Sequence, residues 1–352
     1  MKILSPFSKK EEVAPLIKAG ADELYCGIVP DEWENKYGVF DTLNRREGYG
    51  ANFSKFSDLQ YAIKLAHEKN VQVFVTMNGL YVQQQYPLIQ KMIERLKDIK
   101  VDGLIIADIG ILLMLQRTKI FKEIKMGTGG TAFNSKTAIF YKKMGVSSII
   151  LPRHLTLDEI KGISQRISGA VSLEVFILNT LCRNVDGFCT FYHGLSFDKK
   201  EFAPEINLKN KSLKFFKSYD VNYAGHGCHL RYSKRIFDNR GKRVIRQPSI
   251  VTKKIRHSWQ VRKECGACAI FDFNKIKITN FKIVERAASI DSKIRDTTFI
   301  RTVLDILRKE ENLTKEQFIR KTQELCCDTY KYDSCSGFSC YYPSVFHKIL
   351  NK

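Results

Sequence analysis

The sequence predicts a TIM-like (β/α)8 barrel with a long insertion between strands seven and eight and a C-terminal helical, cysteine-rich extension. Three observations predict it. Short apolar runs recur eight times along 352 residues, amphipathic helical patterns separate most of them, and the 44% hydrophobic content is ample for one large core. Eight strands joined by right-handed crossovers close on themselves, whereas an open doubly wound sheet usually employs fewer.

The strands are expected at KILSPF (2–7), ELYCGI (23–28), QVFVTMN (72–78), GLIIAD (103–108), IKMGTG (124–129), SIILPR (148–153), SLEVFIL (172–178) and FKIVE (281–285). Between them, KEEVAPLIKAG (10–20), FSDLQYAIKLAHEKN (56–70), YPLIQKMIERLKDI (86–99), SKTAIFYKKMG (135–145) and TLDEIKGISQRI (156–167) repeat apolar residues at three- and four-residue spacing, which predicts helices. Residues 179–280 then form one insertion, and it emerges at the C-terminal face, where barrels of this kind carry their active sites. Beyond strand eight, residues 295–327 read as two helices, with Thr314 ahead of Gln317 as a capping box. A cysteine-rich tail, CCDTYKYDSCSGFSCYYP (326–343), follows. The expected division is a barrel over 1–286, including the basic insertion, and an extension over 287–352.

The start, MKILSPFSKK, has no small-residue cleavage site, and no segment reaches the apolar length of a bilayer span. The expectation is a soluble cytoplasmic protein with no membrane span. Thiols stay reduced there, so ten cysteines point to metal or redox chemistry rather than disulfides. Only Cys26 stands in the first half of the chain. The net charge is +21, and residues 195–263 hold 18 Lys+Arg against five Asp+Glu. Phe202, Phe215, Phe216, Tyr219, Tyr223, Tyr232, Phe237 and Trp259 interleave with those cations. Cations for phosphates and rings for bases suit single-stranded RNA, while a solvated lysine-rich insertion packed on the barrel is the alternative.

Cys182 and Cys189 flank the turn sequence NVDG, Cys228 stands among glycines in AGHGCHLRY, and Cys265 and Cys268 form a C-x2-C pair just before strand eight. Thiolates of this kind hold structural zinc or an iron–sulfur cluster. Their irregular spacing suits a cluster docked into a prebuilt pocket better than a small zinc module, and buried structural thiols are the third reading. Cys265, Cys326, Cys327, Cys335 and Cys340 exceed what one cluster needs, and a second metal site tying the tail to the insertion is one use for them.

The segment EVFILNTLCRNVDGFCTF (174–191) resembles the signature of the peptidase U32 family, as do Cys228 and CGACAIFDFNKIKITNFKIVERAAS (265–289). Upstream, residues 3–28, NRREGYGANFS (44–54) and residues 127–160 are also similar to that family. The resemblance implies a barrel holding a 4Fe-4S cluster on Cys182, Cys189, Cys228 and Cys268. It implies either oxygen-independent hydroxylation of a ubiquinone precursor, tRNA or rRNA base, or the collagenase-like peptidase activity for which the family was first named. An electron donor and a family-related partner protein are implied partners. The closing motif departs from the family at Val284 and Glu285, and Arg153-His154 stands where the family has an acidic pattern, which bears on substrate more than on the cluster.

Glu174, Arg45 and Arg153 are the candidate catalytic residues, orienting an anionic substrate and assisting proton transfer. Asn78, Asp108, Asn134 and Arg46 are the candidate substrate-binding residues; all seven fall at or near expected strand ends or in loops at one face. Peptidase machinery is sparse. HEKNV (67–71) has Val71 where a zinc-protease helix needs a second His, and no G-x-S-x-G elbow occurs. His193, His226 or His229 could serve a Cys189 or Cys228 nucleophile, but only with thiols the cluster would occupy. The loop GTGGTAFN (127–134) is a candidate anion cradle or simply a tight barrel turn. The readings are therefore an iron–sulfur hydroxylase-like enzyme acting on an RNA base or small molecule, a peptidase, and a non-catalytic cluster scaffold.

Overall fold

Strand β1 (Lys2–Pro6) closes the molecule, because it pairs in parallel with β2 (Glu23–Gly27) on one side and with β8 (Asn280–Ile283) on the other. The computed structural model describes residues 1–37, 43–46, 50–179, 182, 185–188, 236–237, 243–244, 264–310, 312–331 and 340–345. Between those edges run β3 (Gln72–Met77), β4 (Gly103–Ile106), β5 (Glu123–Met126), β6 (Ser148–Ile150) and β7 (Ser172–Leu178), giving a closed eight-stranded parallel barrel. All eight expected strands are present, most of them trimmed where the apolar run continues into the following loop.

Helices α1 (Val13–Lys18), α2 (Asp31–Tyr37), α3 (Phe56–His67), α4 (Tyr86–Asp98), α5 (Ile109–Thr118), α6 (Ser135–Lys143) and α7 (Leu157–Ile167) alternate with the strands. Their apolar stripes bury Leu59, Ile63, Leu88, Met92, Ile160 and Ile163 against the sheet. Thr156 and Glu159 form a capping box that fixes where α7 starts. A short helix α8 (Ile270–Lys275) leads into β8, followed by α9 (Ile290–Lys309) and α10 (Lys315–Tyr330), the last with the expected Thr314–Gln317 box.

The boundary expected at residue 287 falls inside the last βα unit. Helix α9 is the eighth barrel helix: Thr297 meets Ser5 of β1 at 2.5 Å, Lys293 Nζ lies 2.8 Å from Glu12, and Arg301 donates to the Gly20 carbonyl at 2.7 Å. The chain divides instead into one compact unit of residues 1–189 and 263–352 and a second of residues 190–262. Within the second, Ile236–Phe237 pairs antiparallel with Arg243–Val244. The remaining basic, aromatic stretch lies outside the described residues. No described helix is long and apolar enough to cross a membrane.

Charges fill part of the barrel interior. Lys125 (β5) bridges Glu23 (β2) and Glu174 (β7), Lys2 reaches Glu23 at 2.8 Å, and Lys282 (β8) stands 3.8 Å from Glu174. Three ammonium groups thus share two carboxylates. Lys282 Nζ is buried with no hydrogen-bond partner among the described residues, 3.6 Å from the centre of the Tyr25 ring. Burial, together with the positive charges of Lys125 and Arg286, outweighs Glu174 and brings its pKa down to about 7. With Lys282 neutral, two cations face two anions.

This arrangement sets a pH dependence. The unfolded chain keeps Lys282 protonated up to about 10.4 while the folded chain releases that proton near neutrality, so stability rises with pH between those values by about 1 kcal/mol per unit. Lys282→Met should flatten that rise relative to wild type and raise the denaturation midpoint at pH 7. Urea titrations of both proteins at pH 7 and 9.5 check it; equal slopes would refute a neutral Lys282.

Candidate active site

Every loop that follows a barrel strand opens at one end, and arginines gather there. Arg286, three residues past β8, is buried across the end of β2. Its Nη1 donates to Thr76 at 2.8 Å and to Asn52 at 3.1 Å, and its Nη2 donates to Asn44 at 2.6 Å. Gly27 makes this crossing possible, since a Cβ there would stand 1.9 Å from Arg286 Nη1. Asn44 also accepts from the Arg46 backbone, and Asn52 donates to the Arg46 carbonyl at 2.6 Å, so the network fixes the loop bearing Arg45 and Arg46. Among the described residues no carboxylate contacts the Arg286 guanidinium, and burial, aided by repulsion from Arg46, lowers its pKa to about 10.

Arg45 donates its backbone N–H to Asn78, and its guanidinium lies over Gly129 in the turn after β5. Asn78 therefore stands at the mouth as expected. Asp108 serves the loops instead: it caps α5 through the Ile111 N–H and accepts from the Tyr86 hydroxyl at 2.6 Å. Asn134 is exposed and caps α6 through the Thr137 N–H. In the glycine-rich turn, the N–H groups of Gly127, Gly130, Thr131 and Phe133 bond to chain carbonyls, so its geometry is that of a tight turn rather than an open anion cradle.

Two expected catalytic groups are committed to internal ion pairs. Glu174 is the third residue of β7, fully buried in the barrel among Lys125 and Lys282, not at the mouth. Strand alternation, which turns this position inward, placed it there. Arg153 is at the mouth but grips Asp186 with Nε at 3.0 Å and Nη2 at 2.7 Å, while its backbone N–H donates to the same carboxylate at 2.8 Å. Burial opposes the Asp186 charge, yet these bonds hold its carboxyl below the ordinary carboxylate range. Sequence reasoning treated Asp186 only as part of a turn and missed Arg286 as a site residue. The signal for Arg286 was present in the closing motif, as an arginine one turn beyond a barrel strand.

Cys265 and Cys340 lie along the adjoining edge. Cys265 bridges antiparallel to Leu178, the last residue of β7, and parallel to Cys340 of the tail. Tyr341 donates its N–H to the Cys265 carbonyl at 2.9 Å and its hydroxyl to Asn179, and Tyr342 donates to the Phe176 carbonyl at 3.2 Å. Cys268 follows three residues on; it and Cys182 are both partly exposed, and Cys182 is close enough to act electrostatically on Arg153. Cys189 and Cys228 lie outside the described residues. Of the four expected cluster ligands, the described residues include Cys182 and Cys268. The Cys265 thiol donates to Cys326 of α10, which pushes Cys265 up. Cys327 follows in α10, and Cys335 lies outside the described residues. Among the described residues no three Cys, His, Asp or Glu side chains converge as a metal site, including the cysteines expected to form a second one.

The model of peptidase family U32 matches residues 8–348. The chain is 25% identical over 232 residues to tRNA hydroxylation protein P of Helicobacter pylori, an alignment covering 66% of this chain and 50% of that protein. It is 28% identical to the 23S rRNA 5-hydroxycytidine C2501 synthase of Escherichia coli over 64% of this chain and 32% of the synthase. Similarity to a collagenase of Porphyromonas gingivalis is 24% identity, covering 53% of this chain and 44% of the collagenase. The aligned region thus spans half or less of each of these relatives.

The Arg153–Asp186 pair has a measurable consequence. Asp186→Ala leaves a buried guanidinium without its anion and should cost about 3–5 kcal/mol of stability, with Arg153→Ala similar and the double variant far less than additive. A double-mutant cycle in chemical denaturation checks this.

Proposed function

The chain belongs to peptidase family U32, and from that membership we propose that it is an iron–sulfur-dependent, oxygen-independent hydroxylase that modifies an RNA base. Relatives named for tRNA and 23S rRNA hydroxylation support this reading. The structural observation that carries it is Arg286: a buried guanidinium held, among the described residues, by neutral side chains, with Arg46 alongside, leaves positive charge at the barrel mouth for an anionic substrate.

Cys182, Cys189, Cys228 and Cys268 would hold a 4Fe-4S cluster, which supplies one-electron transfer when bound. The protein's own groups do the rest. Arg45 and Arg46 orient the anion, Arg286 fixes the loop that carries them, and the Arg153–Asp186 pair anchors the segment leading away from Cys182. Conversion of C–H to C–OH with water as oxygen source releases two protons and two electrons, so a redox partner must exchange electrons with the protein. RNA as substrate implies work in the cytoplasm.

The collagenase relative supports a second reading, peptide hydrolysis, in which the same cationic mouth would take an acidic or modified peptide. The two separate by experiment. Oxygen-free purification should give a brown protein with iron and sulfide near the 4Fe-4S ratio, Cys182→Ala and Cys268→Ala should lose most of both, and nucleoside mass spectrometry of RNA from cells with and without the protein should show one hydroxylated base dependent on it. Cleavage of peptides that persists in both cysteine variants would establish the peptidase instead.

A further inference from the structure

Resting on the RNA-modifying reading, we infer that Phe188, in tilted contact with Phe133 on the turn that Arg45 also reaches, is a platform on which a nucleobase of the substrate stacks at the barrel mouth. Phe188 is 66% exposed, and the neighbouring Val185 is 47% exposed. Exposed aromatic surface at the open end of a barrel is a contact surface for a ligand more readily than a packing residue.

The ring is held in place. Gly187 has φ +85° and sits directly on the turn after β5, where a Cβ would stand 2.3 Å from Thr131 Cγ2 and 2.9 Å from the Thr128 carbonyl. Asp186 is locked by three hydrogen bonds from Arg153, and the Phe188 N–H closes back on the Val185 carbonyl at 3.0 Å. Phe188 then meets Phe133, at the far end of the same turn, with ring centroids 6.3 Å apart and planes tilted by 37°. A ring fixed this way loses little freedom when a ligand covers it.

The same turn carries a cation. Arg45 Nη1 lies 3.6 Å from where a Gly129 Cβ would be, so a guanidinium and an exposed aromatic face share one short stretch of the rim, residues 128–133. The carboxylate next to this stretch, Asp186, is neutralised by Arg153. A phosphate beside a flat apolar base is the ligand with this pattern of charge and shape, and single-stranded nucleic acid is recognised through that pairing.

The test is fluorescence anisotropy of a labelled single-stranded oligoribonucleotide, with a 2-aminopurine version reporting stacking, across a salt series. Phe188→Ala should weaken binding roughly 5- to 100-fold and relieve 2-aminopurine quenching without changing the salt slope, while Phe188→Trp should retain affinity. Arg45→Ala should lower the salt slope by about 0.7. Phe188 is exposed, so its variants should fold, and circular dichroism confirms that. Wild-type affinity in Phe188→Ala, or no binding of the oligoribonucleotide by wild type, overturns the platform. Normal binding with no hydroxylated nucleoside in the cell experiment would overturn the hydroxylase reading and leave the platform standing.

Discussion

Closure of the sheet through β1 is the constraint from which the rest follows. Because β1 pairs with β2 and β8 at once, the first and last strands of a chain interrupted by a long insertion become neighbours, and all eight post-strand loops must open at one end. Helix α9 completes that closure by packing its Thr297 and Lys293 against Ser5 and Glu12. The arginines of the mouth come from segments more than two hundred residues apart, Arg45 and Arg46 after β2 and Arg286 after β8. Only a closed barrel brings such segments to one rim.

A small barrel must fill its interior with side chains, and this one does so partly with charge. Lys125 over the Phe74 ring and Lys282 over the Tyr25 ring set ammonium groups against aromatic faces, with Glu23 and Glu174 between them. Burial of ions is tolerable only where charges nearly cancel, and lowering the Lys282 pKa to about 7 moves the interior toward that balance. At the mouth the opposite holds. Arg286 is surrounded by Asn44, Asn52 and Thr76, which accept its hydrogen bonds without cancelling its charge. Among the described residues, the interior nearly balances its charges, whereas the partners of Arg286 leave its charge uncancelled.

The end of β7 is the busiest edge of the molecule. The Cys265 segment adds to it, the Cys340–Tyr342 segment adds to that, and Asn179 is tied to Asp296 of α9 at 2.8 Å, with Tyr330 of α10 on the same carboxylate. The tail that reads as an appendage in the sequence thereby braces the strand end from which Cys182 and Phe188 depart. Stability and site geometry are linked there, because loosening the tail frees the strand end that positions the rim.

The sequence by itself determined the barrel. Short continuous apolar runs, with a 3.6-residue period between them, are local properties set by how side chains leave a strand or a helix, and they located all eight strands and the capping box at Thr314. The sequence also put Arg45 and Asn78 at the loop-bearing end of the barrel, where the structure has them in contact. What tertiary structure alone decided was partnership. Whether Arg153 meets substrate or Asp186, whether Glu174 points to the mouth or into a ring of lysines, and whether Arg286 finds an acid all depend on residues distant in sequence. Charge compensation is a matter of a few ångströms in space, and a linear pattern carries no record of it.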